Sequence, residues 1–304
     1  MKGEIMVLKG VFTALVTPFR NGNIDEKALK KLIDFQIAGG VDGIVPCGTT
    51  GEAPTLSYEE HEKVIELTVK YTAGKVPVIA GTGSNCTDEA IELTRTAKKL
   101  GVDACLLTTP YYNKPTQEGM VSHFTAIAEE TRLPVVLYNI PGRTGVNMIP
   151  ETIARLAKVK NIVAIKEAAG SVAQASEIYC LTGGKFTILS GDDGLFLPMM
   201  SVGAVGVISV FSNIMPKELK ALYKAFMIEQ NIAKAIKLHT KYMPFFQNLF
   251  IETNPIPVKE AMYRMGMIAR EYRLPLCPIS DKNGEVLAGL MKEYGLIGKK
   301  PKKK

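Results

Sequence analysis

The feature that most constrains this chain is an alternation repeated eight times: a short, near-continuous apolar run, then a turn, then an amphipathic stretch. The apolar runs fall at 11–19, 43–48, 77–81, 104–109, 134–139, 162–168, 186–190 and 204–210. Short runs rich in Val, Ile and Leu, bounded by Gly, Pro and polar residues, read as strands buried on both faces. The stretches between them carry helix signals. Asp25 caps the first helix, Ser57 and Glu60 stand at capping-box spacing before the second, and Thr87 begins the third. Further helices are expected at 118–131, 150–159, 172–181, 194–201 and 216–229. Strands alternating with helices make a parallel sheet covered by helices, and eight such units in about 225 residues match a closed (β/α)8 TIM barrel. An open doubly wound sheet is the structural alternative. It would more often carry a glycine-rich dinucleotide loop after the first strand, where this chain has Thr17-Pro18-Phe19. After about residue 230 the strand pattern stops, and helices are expected at 231–249, 258–266 and 284–294. We therefore divide the chain into a barrel, 1–229, and a C-terminal helical domain with a basic tail, 230–304.

The sixth strand contains a lysine, Lys166, in the run Ile162-Val163-Ala164-Ile165-Lys166-Glu167-Ala168. Removing an ammonium from water is costly, so a strand lysine is either paired, here with Glu167, or available as a nucleophile toward carbonyls. In a barrel the reacting groups gather at the C-terminal strand ends. Those ends supply Gly48-Thr49-Thr50-Gly51-Glu52, Gly81-Thr82-Gly83-Ser84-Asn85, Pro110-Tyr111-Tyr112-Asn113, Tyr138-Asn139-Ile140-Pro141-Gly142-Arg143, Gly191-Asp192-Asp193 and Ser209. A Schiff-base enzyme needs an amine and a proton shuttle, and a tyrosine relayed through hydroxyls can be that shuttle. The Gly48–Gly51 turn suits a carboxylate and Arg143 a second one, which implies a 2-oxo acid and a partner that also carries an acid group. Other readings stay open for each motif. Gly48–Gly51 could be only a turn, Tyr111 and Tyr112 interface aromatics, Asp192-Asp193 a helix N-cap pair, and Cys47 a small buried filler. Gly81-Thr82-Gly83 lacks the G-K-[ST] ending of a phosphate loop.

Composition excludes several classes. Five scattered cysteines, never spaced C-x-x-C, argue against a disulfide framework or zinc site and fit a cytoplasmic setting. The three histidines form no metal constellation, and no cofactor is expected. No apolar run approaches the roughly 20 residues of a membrane span, so no membrane partner is expected. Much of the net charge of +7 sits at Lys299-Lys300-Pro301-Lys302-Lys303-Lys304. With no aromatics interleaved, this reads as a solvated terminus rather than a nucleic-acid arm.

Four segments, Gly48-Thr49-Thr50-Gly51-Glu52, Tyr111-Tyr112-Asn113-Lys114-Pro115, Tyr138-Asn139-Ile140-Pro141-Gly142-Arg143-Thr144-Gly145 and Ile165-Lys166-Glu167, occur together in order. In this the chain resembles the dihydrodipicolinate synthase family of pyruvate-dependent class I aldolase-like lyases, from about residue 8 to 295. The resemblance implies a homotetramer of (β/α)8 barrels that condenses pyruvate with aspartate 4-semialdehyde. By position, Lys166 would form the Schiff base and Tyr138 would donate and accept protons. Thr49 would relay them to Tyr112, which would reach in from the neighbouring subunit. Thr50 would hold the pyruvate carboxylate, with Ile208 and Gly191 also at the substrate, and Arg143 would take the semialdehyde carboxylate. Arg143 argues against N-acetylneuraminate lyase, though an aldolase for another sugar-derived 2-oxo acid and a non-catalytic binding barrel remain alternatives. The family's L-lysine feedback site would map to Ala53, Pro54, Tyr58, His61, Asn85, Glu89 and Tyr111. Tyr58 departs from the histidine common in inhibited members, while His61 and Glu89 could equally be solvated helix-face residues.

Overall fold

The computed structural model describes residues 8–298; the basic run at 299–304 lies outside them. Eight parallel strands form one sheet: β1 (Gly10–Ala14), β2 (Gly43–Val45), β3 (Ile79–Gly81), β4 (Ala104–Thr108), β5 (Val135–Asn139), β6 (Ile162–Glu167), β7 (Thr187–Ser190) and β8 (Gly206–Ser209). Their order is β2-β1-β8-β7-β6-β5-β4-β3, and a parallel bridge between Ile44 and Val78 joins the two ends. The sheet is a closed barrel, as the eightfold alternation predicts. Phe12, Val45, Ile79, Leu106, Val136, Ala164, Leu189 and Ile208 fill its interior.

Several strands are shorter than their apolar runs. Past Ala14 the backbone is captured by a side chain: Asn213 Nδ2 donates to the Ala14 carbonyl at 2.8 Å, and its Oδ1 accepts from Val16 N–H at 3.3 Å. Residues 15–17 therefore stay buried while leaving the ladder. Beyond them, Phe19–Arg20 pairs antiparallel with Asn23–Ile24 across the two-residue turn Asn21-Gly22, both at positive φ, +54° and +80°. Asn-Gly favours this hairpin turn, and the apolar run at 11–19 ran into it.

The covering helices are α1 (Glu26–Ala38), α2 (Tyr58–Thr72), α3 (Thr87–Lys99), α4 (Gln117–Thr131), α5 (Pro150–Leu156), α6 (Val172–Leu181), α7 (Phe196–Ser201) and α8 (Pro216–Met227). Asp25 accepts from Ala28 N–H at 2.9 Å, and Ser57 and Glu60 close a complete capping box. Asp192 and Asp193 do not act as a cap pair. Asp192 closes the turn by accepting from Gly194 and Leu195 N–H, at 2.7 and 3.2 Å. Asp193 instead reaches the chain after β8, accepting from Val210 and Phe211 N–H at 3.0 and 2.9 Å, so α7 begins two residues later than the pattern suggests.

The remaining helices are α9 (Ile232–Asn248), α10 (Ile256–Arg264) and α11 (Asp281–Glu293). Tyr242, Phe245 and Phe246 of α9 surround Phe211, with ring centroids 5.5, 5.7 and 5.1 Å from it. Leu287 and Met291 of α11 join the same apolar cluster. Polar ties reach the loop after β2. Lys259 pairs with Glu52, both fully buried, and Arg273 pairs with Glu60 at 2.5 Å. The Phe19 ring lies 4.5 Å from Lys259 Nζ and 4.2 Å from the Arg273 guanidinium. Among the described residues no helix is long and apolar enough to cross a membrane.

Candidate active site

Strand parity decides the setting of Lys166. On β6, Ala164 and Lys166 point into the barrel, while Ile165 and Glu167 face the helix layer. β5 and β6 pair with Tyr138 opposite Lys166. The lysine is only 6% exposed, and its Nζ lies 4.1 Å from the centroid of the Tyr138 ring. Pairing between Lys166 and its sequence neighbour is ruled out, because Glu167 is engaged on the opposite face. Its carboxylate accepts from Asn139 Nδ2 at 3.1 Å, Ala169 N–H at 2.6 Å and Gln174 Nε2 at 3.2 Å. Burial pushes that carboxyl above the usual range despite these bonds. Gly191, just past β7, leaves room for the lysine stem: a β-carbon there would stand 3.1 Å from Lys166 Cγ and Cε. Ile208 lies in the same barrel interior.

The loop after β2 is a tight turn with left-handed residues at Cys47 and Glu52, φ +54° and +55°. Gly51 N–H bonds to Gly48 O at 3.0 Å, and Thr17 Oγ1 donates to Gly51 O at 2.7 Å. Cys47 is buried, as expected of a small filler, and burial raises its thiol pKa. Thr50 is buried, and its hydroxyl accepts from Asn254 Nδ2 at 3.0 Å. Arg143 sits in a single helical turn, Pro141–Thr144, whose Pro and preceding strand end hold it at the barrel mouth. Its Nη2 donates to the Asn254 carbonyl at 3.0 Å. A cavity of about 640 Å³ is lined by Thr49, Thr108, Ile140 and Arg143. Thr108 is the register neighbour of Tyr138, so the cavity abuts the strand pair that carries the lysine and the phenol.

The same cavity is lined by Ala53, Pro54, Tyr58, His61, Ser84, Glu89 and Tyr111. Tyr58 and Ser84 both donate to the Glu89 carboxylate. The Ser84 and Tyr58 bonds hold Glu89 below the usual carboxylate range and push the Tyr58 phenol up. His61 is buried rather than a solvated helix-face residue. Its Nε2 meets the Gly81 carbonyl at 2.8 Å, and burial lowers its pKa, so it stands neutral with Nε2 as the donor. Asn85 Nδ2 donates to Tyr111 O at 3.2 Å. Tyr112, at φ +70°, is 89% exposed.

An inward lysine against a phenol, with Thr50 and Arg143 both tied to Asn254, is the arrangement expected of a Schiff-base lyase. The Dihydrodipicolinate synthetase family profile matches residues 7–294. The chain belongs to this family. The 4-hydroxy-tetrahydrodipicolinate synthase of Geotalea daltonii is 58% identical over 96% of this chain and all of its own length. The dihydrodipicolinate synthase of Aquifex aeolicus superposes with a TM-score of 0.94 at 49% identity, over 96% of this chain and 100% of that one. The Cyanidioschyzon merolae enzyme, solved with lysine bound, gives 0.92 at 42%, over 95% and 99%.

Within this member of the dihydrodipicolinate synthetase family, the structure brings Lys166, Tyr138, Gly191 and Ile208 to one barrel interior and Thr49, Thr50 and Arg143 to its rim. It leaves Tyr112 on the surface. Sequence reasoning missed two polar supports of the site. Asn139 also binds Asn147 Oδ1 at 2.8 Å and so ties the Arg143 loop to Glu167; both Asn139 and Glu167 stood inside the quoted motifs as a usable signal. Asn254 had none, for it reads only as part of a proline-rich turn.

Proposed function

We propose that the chain condenses pyruvate with L-aspartate 4-semialdehyde through a Schiff base on Lys166, giving 4-hydroxy-tetrahydrodipicolinate for diaminopimelate and lysine biosynthesis. The carrying observation is the Lys166 amine held inside the barrel 4.1 Å from the Tyr138 ring. The amine attacks the pyruvate ketone, and Tyr138 delivers the proton with which the carbinolamine loses water. Loss of a methyl proton then gives an enamine whose carbon attacks the semialdehyde aldehyde, the aldehyde oxygen taking up a proton to become the 4-hydroxyl. The semialdehyde's amino group next adds to the Schiff-base carbon, closing the ring, and the C–N bond to Lys166 breaks to return the free amine. Thr49, on the cavity wall, relays protons between Tyr138 and Tyr112. Thr50 and the Ile208 backbone hold the pyruvate carboxylate beside Gly191, and Arg143 takes the second carboxylate as a planar fork.

In this reading Tyr112 serves the neighbouring subunit. An aromatic ring 89% exposed at the rim is a group that a second copy would cover. The enzyme is accordingly a homotetramer working in the cytoplasm, with 230–304 as an accessory helical unit. The cavity lining favours feedback by L-lysine: Glu89 and neutral His61 are acceptors for an ammonium, and Asn85 and Tyr111 border them. A family member with lysine bound supports this.

Borohydride added with pyruvate should trap an adduct on Lys166, and an unchanged intact mass would overturn the Schiff-base step. A coupled assay with pyruvate and aspartate semialdehyde, run with and without lysine, tests substrate and feedback together. Cleavage of a sugar-derived 2-oxo acid with no response to the semialdehyde would transfer the site to the aldolase reading.

A further inference from the structure

Asn254 lies between α9 and α10, in the helical segment that the barrel chemistry does not otherwise use. It is buried, 5% exposed, yet it touches both carboxylate holders. Its side-chain Nδ2 donates to Thr50 Oγ1 at 3.0 Å, and its main-chain carbonyl accepts from Arg143 Nη2 at 3.0 Å. Its Oδ1 has no partner among the described residues. A threonine hydroxyl has one hydrogen to give and two lone pairs to receive with. When an amide N–H occupies a lone pair, the hydroxyl hydrogen is left for another acceptor, and the bond it makes there is strengthened by the one it receives.

We infer that Asn254 is a positioning residue for the first carboxylate: by donating to Thr50 it aims the Thr50 hydroxyl hydrogen at pyruvate. The inference rests on the Schiff-base reading of the site above. The two contacts separate by chemistry. The bond to Thr50 belongs to the side chain and can be mutated away; the bond to Arg143 belongs to the main chain and survives any replacement at 254. A side-chain change at 254 therefore acts on pyruvate and spares the semialdehyde.

Asn254→Asp replaces the donor with an acceptor. The Thr50 hydroxyl then turns to donate to the new carboxylate and is withdrawn from substrate. The expected result is a pyruvate KM raised about tenfold or more, the value of a hydrogen bond to a charged group. In Asn254→Ala, which adds no charge beside Arg143, the semialdehyde KM and kcat should stay within about twofold. Asn254→Ala should raise the pyruvate KM in the same selective way but by less, and it decides the question if the aspartate variant fails to fold. In a Thr50→Val background, Asn254→Ala, which removes the donor without adding charge, should add nothing further. An unchanged pyruvate KM, equal changes in both KM values and kcat, or a full effect persisting without the Thr50 hydroxyl would each overturn the inference. Borohydride trapping of the unmutated enzyme separates the two claims: no Lys166 adduct sinks the reaction itself, whereas a normal adduct with an unmoved pyruvate KM sinks only the role of Asn254.

Discussion

Side chains alternate faces along a strand, so Lys166 and Glu167 cannot share an environment. One enters the barrel beside Tyr138, and the other is locked by Asn139, Ala169 and Gln174. Lys166→Ala should abolish turnover, by at least about a thousandfold, since no other amine stands at that register. Gly191→Ala tests the space around the stem. The added carbon would press on Lys166 at 3.1 Å and on the Ala168 side chain at 2.7 Å. We expect kcat to fall by about 10²-fold, the cost of a misplaced nucleophile, with a circular dichroism spectrum like that of the parent. A third residue bears on stability. His123 is buried, bonds Thr87 Oγ1 through Nδ1 at 2.9 Å and leaves Nε2 without a partner among the described residues. Burial pushes its pKa down to about 4. The unfolded chain, with an ordinary histidine near 6.5, takes up the proton first. Stability is therefore lost as pH falls below about 6.5 and stops falling below about 4, with a ceiling of about 3 kcal/mol. Urea unfolding across that window should show the slope in the parent and a shallower one in His123→Gln.

Helix starts were readable where a side chain does the capping. Asp25 and Ser57 are caps by residue type and position, and both form the expected bonds. Ser57→Ala should lower stability by about 1 kcal/mol, read from the urea midpoint, because it leaves an N-terminal N–H of α2 without its acceptor. Strand ends were less readable. Apolar composition reports burial, whereas a strand ends where its ladder partner changes. After Ala14 that partner is Asn213, roughly 200 residues away in sequence, and no local pattern announces it. The same holds for Asp193, which looks like a cap but spends its carboxylate on Val210 and Phe211.

Across the whole molecule, the helical segment after 230 is tied to the catalytic loop through a buried charge pair, Lys259 with Glu52. Removing one member strands the other in a dry interior. Lys259→Met should cost about 3–5 kcal/mol, and adding Glu52→Leu should recover much of it, since two apolar groups restore neutrality without restoring the pair. Thermal unfolding of the two singles and the double measures this; a double as unstable as the sum of the singles would show that the pair is not coupled. The same segment supplies Asn254, so the helical extension ties Thr50 of the loop after β2 to Arg143 of the turn after β5.

The order of apolar runs by itself determined the eight-unit barrel, the helix caps and the strand that holds the lysine, because period, parity and capping are local consequences of residue type. The quoted motifs also pointed to the strand ends where Lys166, Tyr138 and Arg143 lie, because in a barrel polar loop residues gather there. Which residues bridge the two ends of the sheet, Ile44 and Val78, the burial of His61, the Glu52–Lys259 pair and the reach of Asn254 to Thr50 were decided only in three dimensions. Each joins groups from separate units of the barrel or its extension, and the partner of a buried polar atom is set by which elements the fold packs together, not by the residues beside it in the chain.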